Sequence, residues 1–212
     1  MSLTSGVKKL LIIIGILFFA VNLAEIVKLD SLPFDLTYNN FSFTKGIGGF
    51  NPIQLVTYPF LHLGGSSIFQ TIIILISFGS LIEMAFGENK LFQLFFFSAI
   101  GAALMSNCIG MLLLDLGKIS EEHFFTFTLS GANAAMMGIL GAYVTFAPDR
   151  EFNLLFIPIG IKAKYLIGLY VVMNFVNNIR TVGNFEFYAS ISGFCIGIIL
   201  MRTWRRSGLG KW

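Results

Sequence analysis

Four polar residues stand within apolar stretches of the chain, and each could take part in chemistry: His62, Glu83, Asn133 and Ser190. The imidazole of His62 could act as a base or metal ligand, or it could brace a loop through hydrogen bonds. The carboxylate of Glu83 could relay protons, or it could accept hydrogen bonds that hold helix ends together. For both residues we favour the structural role. No second His or Cys lies at metal-binding spacing from His62, so no metal site is predicted.

Composition places these residues in a membrane. The chain has 212 residues, of which 56% are apolar and 12% are charged. Since soluble domains carry about a quarter charged residues, and since a soluble globule of this size cannot bury so many apolar side chains, we predict an integral membrane protein. We assign residues 1–212 to one domain and expect no cofactor. The net charge of +3 is too small to indicate a nucleic-acid partner.

Six apolar runs are each close to the length of about 20 residues that a helix needs to cross a bilayer. They predict an all-α bundle of six transmembrane helices, at residues 10–27, 68–86, 91–114, 124–147, 161–179 and 185–201. The first is interpreted as an uncleaved helix because no small-residue cleavage site follows it. Residues 29–65 are rich in aromatic residues and glycine, which predicts a long first loop at the membrane interface. The short apolar patch at 152–159 is also expected to be interfacial.

Basic residues indicate the orientation of this bundle. With the N-terminus inside, ten of the fourteen Lys and Arg residues fall on the inner side. Lys28, Lys45, Lys118 and Arg180 fall on the outer side. The positive-inside rule therefore predicts that both termini are cytoplasmic. The short loops and the lack of a targeting sequence favour a bacterial cytoplasmic (inner) membrane, with membrane lipids around the bundle.

Small residues on the fourth and sixth predicted helices indicate that these two helices pack closely. Glycine and alanine at an interface let two backbones approach each other. The small residues that form the two faces are Gly131, Ala135 and Gly138 on the fourth helix and Gly193 and Gly197 on the sixth. This packing could bring Asn133 and Ser190 face to face, either as the remnant of an active site or as a plain interhelical hydrogen bond. Cys108 and Cys195 lie in apolar runs far apart, and we expect two buried thiols and no disulfide.

From about Pro52 to Trp204 the sequence resembles the rhomboid intramembrane serine proteases. The matching pieces are Gln54–His62, Phe78–Glu83 with Gly87, Gly131–Ala135 with Gly138, Ile161–Tyr165 and Gly193–Gly197. Each piece is weak alone, but their order, spacing and placement on helices are together specific. The resemblance implies the family's six-helix fold with cytoplasmic termini, which agrees with the orientation indicated by charge. It also implies structural positions for His62 and Glu83.

The chain departs from the family's pattern at the catalytic positions. Active rhomboids have a nucleophilic serine in Gly-x-Ser-Gly at the top of the fourth helix, where this chain has Asn133. The family's base, a histidine of the sixth helix, corresponds to Ser190, and its two oxyanion donors in the second helix correspond to Ser67 and Thr71. A carboxamide cannot attack a carbonyl as an activated hydroxyl does, and no imidazole remains in the sixth helix to take a proton. The resemblance therefore predicts a rhomboid pseudoprotease without catalytic residues.

Three functions remain open on the sequence. The first is a protein that binds transmembrane segments of other membrane proteins, or that serves as a subunit of a larger membrane complex. The resemblance implies a docking route between the second and fifth helices, and Asn174, Asn177 and Asn178 near the fifth helix could contact a partner. The second is an active rhomboid-type serine endopeptidase with a rearranged site, although the spacing does not bring Ser130 and His62 together. The third, a small transporter or channel, is disfavoured because no helix carries a ladder of polar residues.

Overall fold

The structure, a computed structural model, is mostly helical and describes residues 3–26, 43–44, 53–62, 65–154, 157–178 and 184–207. Its helices are α1 (Ser5–Ile26), α2 (Gln54–Thr57), α3 (Gly65–Ile74), α4 (Ser80–Phe86), α5 (Glu88–Asp115), α6 (Glu121–Thr126), α7 (Asn133–Phe146), α8 (Ala163–Asn178) and α9 (Phe185–Arg206). A 3-10 turn, Tyr58–Phe60, follows α2, and a π-helical turn, Leu75–Gly79, joins α3 to α4. Most of the first loop predicted at 29–65 lies outside the described residues.

Two short antiparallel strand pairs connect the helices. Strand β1 (Phe43–Thr44) pairs with β2 (Thr128–Leu129), which joins the first loop to the segment before α7. Strand β3 (Glu151–Leu154) pairs with β4 (Ile157–Lys162) and forms a hairpin between α7 and α8. The patch predicted at 152–159 falls in this hairpin, but most of its side chains lie outside the described residues.

Within the described part of the chain, four helices are long and apolar enough to cross a membrane. They are Ser5–Leu23 within α1, Gly65–Phe86 through α3 and α4, Glu88–Asp115 and Phe185–Arg206. Helices α7 and α8 are apolar but shorter, with 14 and 16 residues. The structure therefore confirms a mostly helical membrane protein, whereas the count of six membrane spans stays a prediction.

The fourth predicted helix begins later than the sequence indicated. Hydropathy predicts a helix over 124–147, but α7 starts at Asn133, because the preceding residues follow a different path. Strand β2 pairs with β1, and Gly131 adopts a φ of 78° while its N–H donates to the Tyr58 carbonyl at 3.0 Å. A positive φ is incompatible with a right-handed helix and is best tolerated by glycine. The start of this helix is thereby corrected to Asn133.

Helices α5, α7 and α9 pack against one another, and α7 has its most extensive contact with α9. Every residue from Ala134 to Tyr143 is buried. A Cβ added to Gly193 of α9 would lie 3.0 Å from the carbonyl carbon of Ala134, and one added to Gly197 would lie 2.7 Å from that of Gly138. Since these neighbours are backbone atoms, α7 and α9 are in direct contact along their small-residue faces.

Glu83 joins the end of α4 to the start of α1. Its Oε1 accepts a hydrogen bond from the Gly6 N–H at 2.7 Å, and its Oε2 accepts one from the Val7 N–H at 2.9 Å. The Thr4 hydroxyl also donates to Oε2. The N–H groups in the first turn of a helix have no partner within the helix, and a carboxylate is favourable there. Glu83 thus caps α1 from another helix.

Two residues that were expected to be buried are exposed. Cys108 of α5 and Cys195 of α9 both lie on the surface of the bundle, so the prediction of buried thiols is corrected. Cysteine behaves as a small hydrophobe and is compatible with a helix surface that faces lipid.

Candidate functional site

Asn133, the first residue of α7, and Ser190 of α9 are joined by a hydrogen bond. Asn133 Nδ2 donates to Ser190 Oγ at 2.9 Å. Ser190 Oγ in turn donates to the carbonyl oxygen of Glu186 at 2.7 Å, one helical turn earlier. Because a hydroxyl has a single proton, this bond to the carbonyl uses the donor capacity of Ser190. The close packing of α7 and α9 therefore places these two residues in one continuous hydrogen-bond chain.

Gln70 and Tyr170, which the sequence did not single out, complete this polar cluster. Gln70 Nε2 of α3 donates to the Tyr170 hydroxyl of α8. The Tyr170 hydroxyl donates to Asn133 Oδ1 at 3.4 Å, and Gln70 Nε2 lies 3.5 Å from the same oxygen. The two contacts to Asn133 are long for hydrogen bonds, whereas the Gln70–Tyr170 bond joins α3 to α8 directly. The signal for Gln70 was its position three residues after Ser67, on the same helix face; nothing in the sequence marked Tyr170.

His62 is a buried, hydrogen-bonded residue beside this cluster. Its Nδ1 lies 3.3 Å from the Phe60 carbonyl oxygen, and its Nε2 lies 3.0 Å from Thr71 Oγ1. A carbonyl only accepts, so Nδ1 carries the proton and Nε2 accepts from the Thr71 hydroxyl. Burial lowers the pKa of His62, although the bond to Phe60 opposes this shift. Both ring nitrogens are engaged, which fits the bracing role favoured by the sequence.

The two positions that match the family's oxyanion donors, Ser67 and Thr71, both lie close to His62. Thr71 is 2% exposed, and its hydroxyl is committed to His62. Ser67 faces the turn before α7, where a Cβ added to Gly131 would lie 3.2 Å from Ser67 Oγ and 3.6 Å from His62 Cδ2. His62 is therefore closer to the start of α7 than the sequence spacing suggested. It is nevertheless 2% exposed, and its Nε2 accepts from the buried Thr71 hydroxyl, so the ring is not open to a substrate.

A cavity of about 270 Å³ lies beside the cluster. Its lining consists of hydroxyl and amide side chains and one carboxylate, from Ser66, Ser67, Gln70, Ser130, Asn133, Asn174 and Glu186. Since liquid water occupies about 30 Å³ per molecule, the cavity has room for several waters or for the head of a polar side chain. Of the three asparagines noted near the fifth helix, Asn174 reaches this cavity, and the side chains of the other two lie outside the described residues.

The rhomboid domain model matches residues 50–207. This chain belongs to the rhomboid family. The match includes the cluster, its cavity and the packed faces of α7 and α9. Together with the apolar helices, it makes this rhomboid an integral membrane protein. A comparison with curated proteins gave no match.

The site of this rhomboid can bind polar groups, and among its described residues no serine hydroxyl donates a hydrogen bond to an imidazole or a carboxylate. The Ser190 hydroxyl donates a hydrogen bond to a carbonyl, and Asn133 is a neutral carboxamide. The chain has two histidines. His62 has no free nitrogen, and the His123 ring, in α6, packs at 5.8 Å from the ring of Phe185. The Thr71 hydroxyl does donate to His62, but both side chains are 2% exposed. A hydroxyl that has no base as its hydrogen-bond partner is a weak nucleophile.

Proposed function

We propose that this rhomboid is a pseudoprotease that binds transmembrane segments of other membrane proteins, either transiently or as a subunit of a larger membrane complex. The observation that supports it most is the 2.9 Å hydrogen bond from Asn133 to Ser190, at the positions of the family's nucleophile and base. Neither side chain can take a proton from a nucleophile at neutral pH, so this pair stabilises the helix contact and does no acyl-transfer chemistry.

The route between α3 and α8 supports the binding part of the proposal. Few residues of α8 contact α7 and α9, and the residues of α8 that are exposed are mainly apolar. The Gln70–Tyr170 bond bridges α3 and α8, and breaking one such bond costs only about 1 kcal/mol. A partner helix that enters here would therefore meet a small barrier and would reach the polar cavity.

Serine-hydrolase chemistry is the first test of the pseudoprotease proposal. We expect the purified protein to give no labelling with a fluorophosphonate and no cleavage of a model transmembrane substrate, with an active rhomboid as the positive control. The double variant Asn133→Ser, Ser190→His should also stay below detection. It restores the nucleophile and the base, but loss of a single oxyanion donor already lowers kcat by about 10²–10³.

Two results would contradict this expectation. Labelling that is abolished by one Ser→Ala change at Ser66, Ser67, Ser130 or Ser190 would establish the alternative, an active endopeptidase with a rearranged site. Robust cleavage by the double variant would mean that only the nucleophile and the base have been lost.

We further propose six membrane spans with both termini in the cytoplasm of a bacterium. Although α7 is short, Phe127, Leu129, Gly131 and Ala132 before it are buried in the protein. Irregular backbone is tolerated at membrane depth where protein surrounds it, so α7 and this segment together can span the bilayer. The ten basic residues on the inner side support the orientation.

Reporter fusions test this topology. Alkaline phosphatase, which is active only outside the cytoplasm, should be inactive when fused after Trp212 and active when fused after Lys118. A green fluorescent protein, which folds in the cytoplasm, should give the opposite pattern. An active phosphatase at the C-terminus would contradict the proposed orientation.

A further inference from the structure

Glu186 has a position that the roles described so far do not explain. It lies in the first turn of α9, is exposed, and lines the polar cavity. It also lines a second, smaller space of about 10 Å³ beside Ser130 and Ser190. A carboxylate in the first turn of a helix is favourable for the helix dipole, but this effect does not require that the side chain line a cavity.

The carboxylate of Glu186 has no cationic partner among the described residues. The ion pairs found there join Lys9 to Glu88, and Lys162 and Lys164 to Asp149. A charged side chain in a membrane protein normally faces water or a group of opposite charge. Within the described ranges, the cavity therefore presents one negative charge without a cationic partner, at the starts of α3 and α9.

The rest of the cavity lining suits a cation with several donors. Apart from Glu186, the lining residues are uncharged, and each has a hydroxyl or amide oxygen that can accept a hydrogen bond. An ammonium group has three donors and no acceptor, so one carboxylate and two neutral oxygens would satisfy it. An anion would meet a negative charge and no positive one.

We propose that the cavity binds the ammonium group of a lysine side chain near the outer end of a partner's transmembrane segment. This inference rests on the proposed function. Gln70 of α3 and Asn174 of α8 line the cavity, so it opens beside the route by which a helix would enter. A lysine near a helix end has a flexible apolar stem that can carry its charge several ångströms along the helix.

Two synthetic transmembrane peptides test this proposal. They differ at one position near the outer end, which is lysine in one and the uncharged isostere norleucine in the other. Binding to the full chain is measured by fluorescence energy transfer in nanodiscs without phosphatidylethanolamine. We expect the wild type to bind the lysine peptide at least tenfold more tightly, and Glu186→Gln to bind both equally. The control Glu121→Gln, which removes an exposed acid from α6 that does not line the cavity, should keep the preference.

A charge reversal separates recognition from folding. Glu186→Lys should prefer a peptide with glutamate at the variable position, an effect that loss of fold would not produce. Equal binding of both peptides to the wild type, or a lysine preference that survives Glu186→Gln, overturns the inference and leaves the proposed function intact. If neither peptide binds, both the inference and the proposed function are overturned.

A lipid headgroup is the other source of an ammonium group. Phosphatidylethanolamine could raise the Tm of the wild type but not that of Glu186→Gln. If the wild type also showed no preference for the lysine peptide, the cavity would be assigned to a lipid. That result also overturns the inference.

Discussion

Replacement of Gly197 by Leu is expected to lower the free energy of unfolding by more than about 3 kcal/mol, the upper end of ordinary overpacking. Even the first atom of a side chain at this position would lie 2.7 Å from the carbonyl carbon of Gly138. A flexible side chain can move aside, but here the neighbour is the backbone of α7, so the two helices must separate. Gly193→Leu should have a similar effect, since its neighbour is the backbone at Ala134.

Gly168→Leu provides the matched control for this prediction. Gly168 is exposed in α8, and a Cβ added there meets nothing within 4 Å. The same substitution should therefore leave stability unchanged or slightly raised, because leucine has the better helix propensity. Thermal unfolding in detergent measures the three variants. Equal Tm values for Gly197→Leu and Gly168→Leu would show that the contact between α7 and α9 is misplaced.

Glu83→Ala should lower the free energy of unfolding by about 3 kcal/mol, because a buried hydrogen bond to a charged group contributes about 1.5–3 kcal/mol. The substitution removes the acceptor for the Gly6 and Val7 N–H groups and for the Thr4 hydroxyl. These donors belong to the start of α1, so the loss should be local at first. A cysteine placed at Val7, which is 0% exposed, should react faster with a thiol reagent in the variant than in the parent.

Glu88→Ala is the control for charge. Glu88 forms an ion pair with Lys9 of α1, but the Glu88 side chain is 29% exposed and the Lys9 side chain is 56% exposed. Solvent screens an exposed ion pair, so this change should have a much smaller effect on the Tm and on the labelling of the cysteine at position 7. If Glu83→Ala and Glu88→Ala behave alike, the cap at the start of α1 does not act as described.

The parts of the fold that hydropathy and side-chain size determine could be predicted from the sequence. The apolar runs marked α1, α3 with α4, α5, α8 and α9, and the small residues marked the faces of α7 and α9 that meet. The late start of α7 could not be predicted, because Phe127 and Leu129 are as apolar as helical residues. The path there depends on a hydrogen bond from Gly131 to Tyr58, which is distant in the sequence.

The candidate site was predicted only where residues differ from a known motif. Asn133 and Ser190 stand at the family's catalytic positions, so their types could be read directly. Gln70, Tyr170 and Glu186 replace no motif residue, and their importance depends on which helix faces which. Glu186 had one weak signal, its position four residues before Ser190 on the same face of α9.

The span Gly65–Phe86 contains a π-helical turn, and this turn sets the rotation of α4 relative to α3. An α-helix turns by about 100° per residue, so Thr71 and Glu83 would point about 120° apart on an unbroken helix. The wide turn at Leu75–Gly79 takes up one surplus residue and lowers this difference to about 20°. Both side chains are consequently buried, with Thr71 at 2% and Glu83 at 8% exposure. A single surplus residue thus lets one helix direct Thr71, near its start, at the polar cluster and Glu83, near its end, at the start of α1.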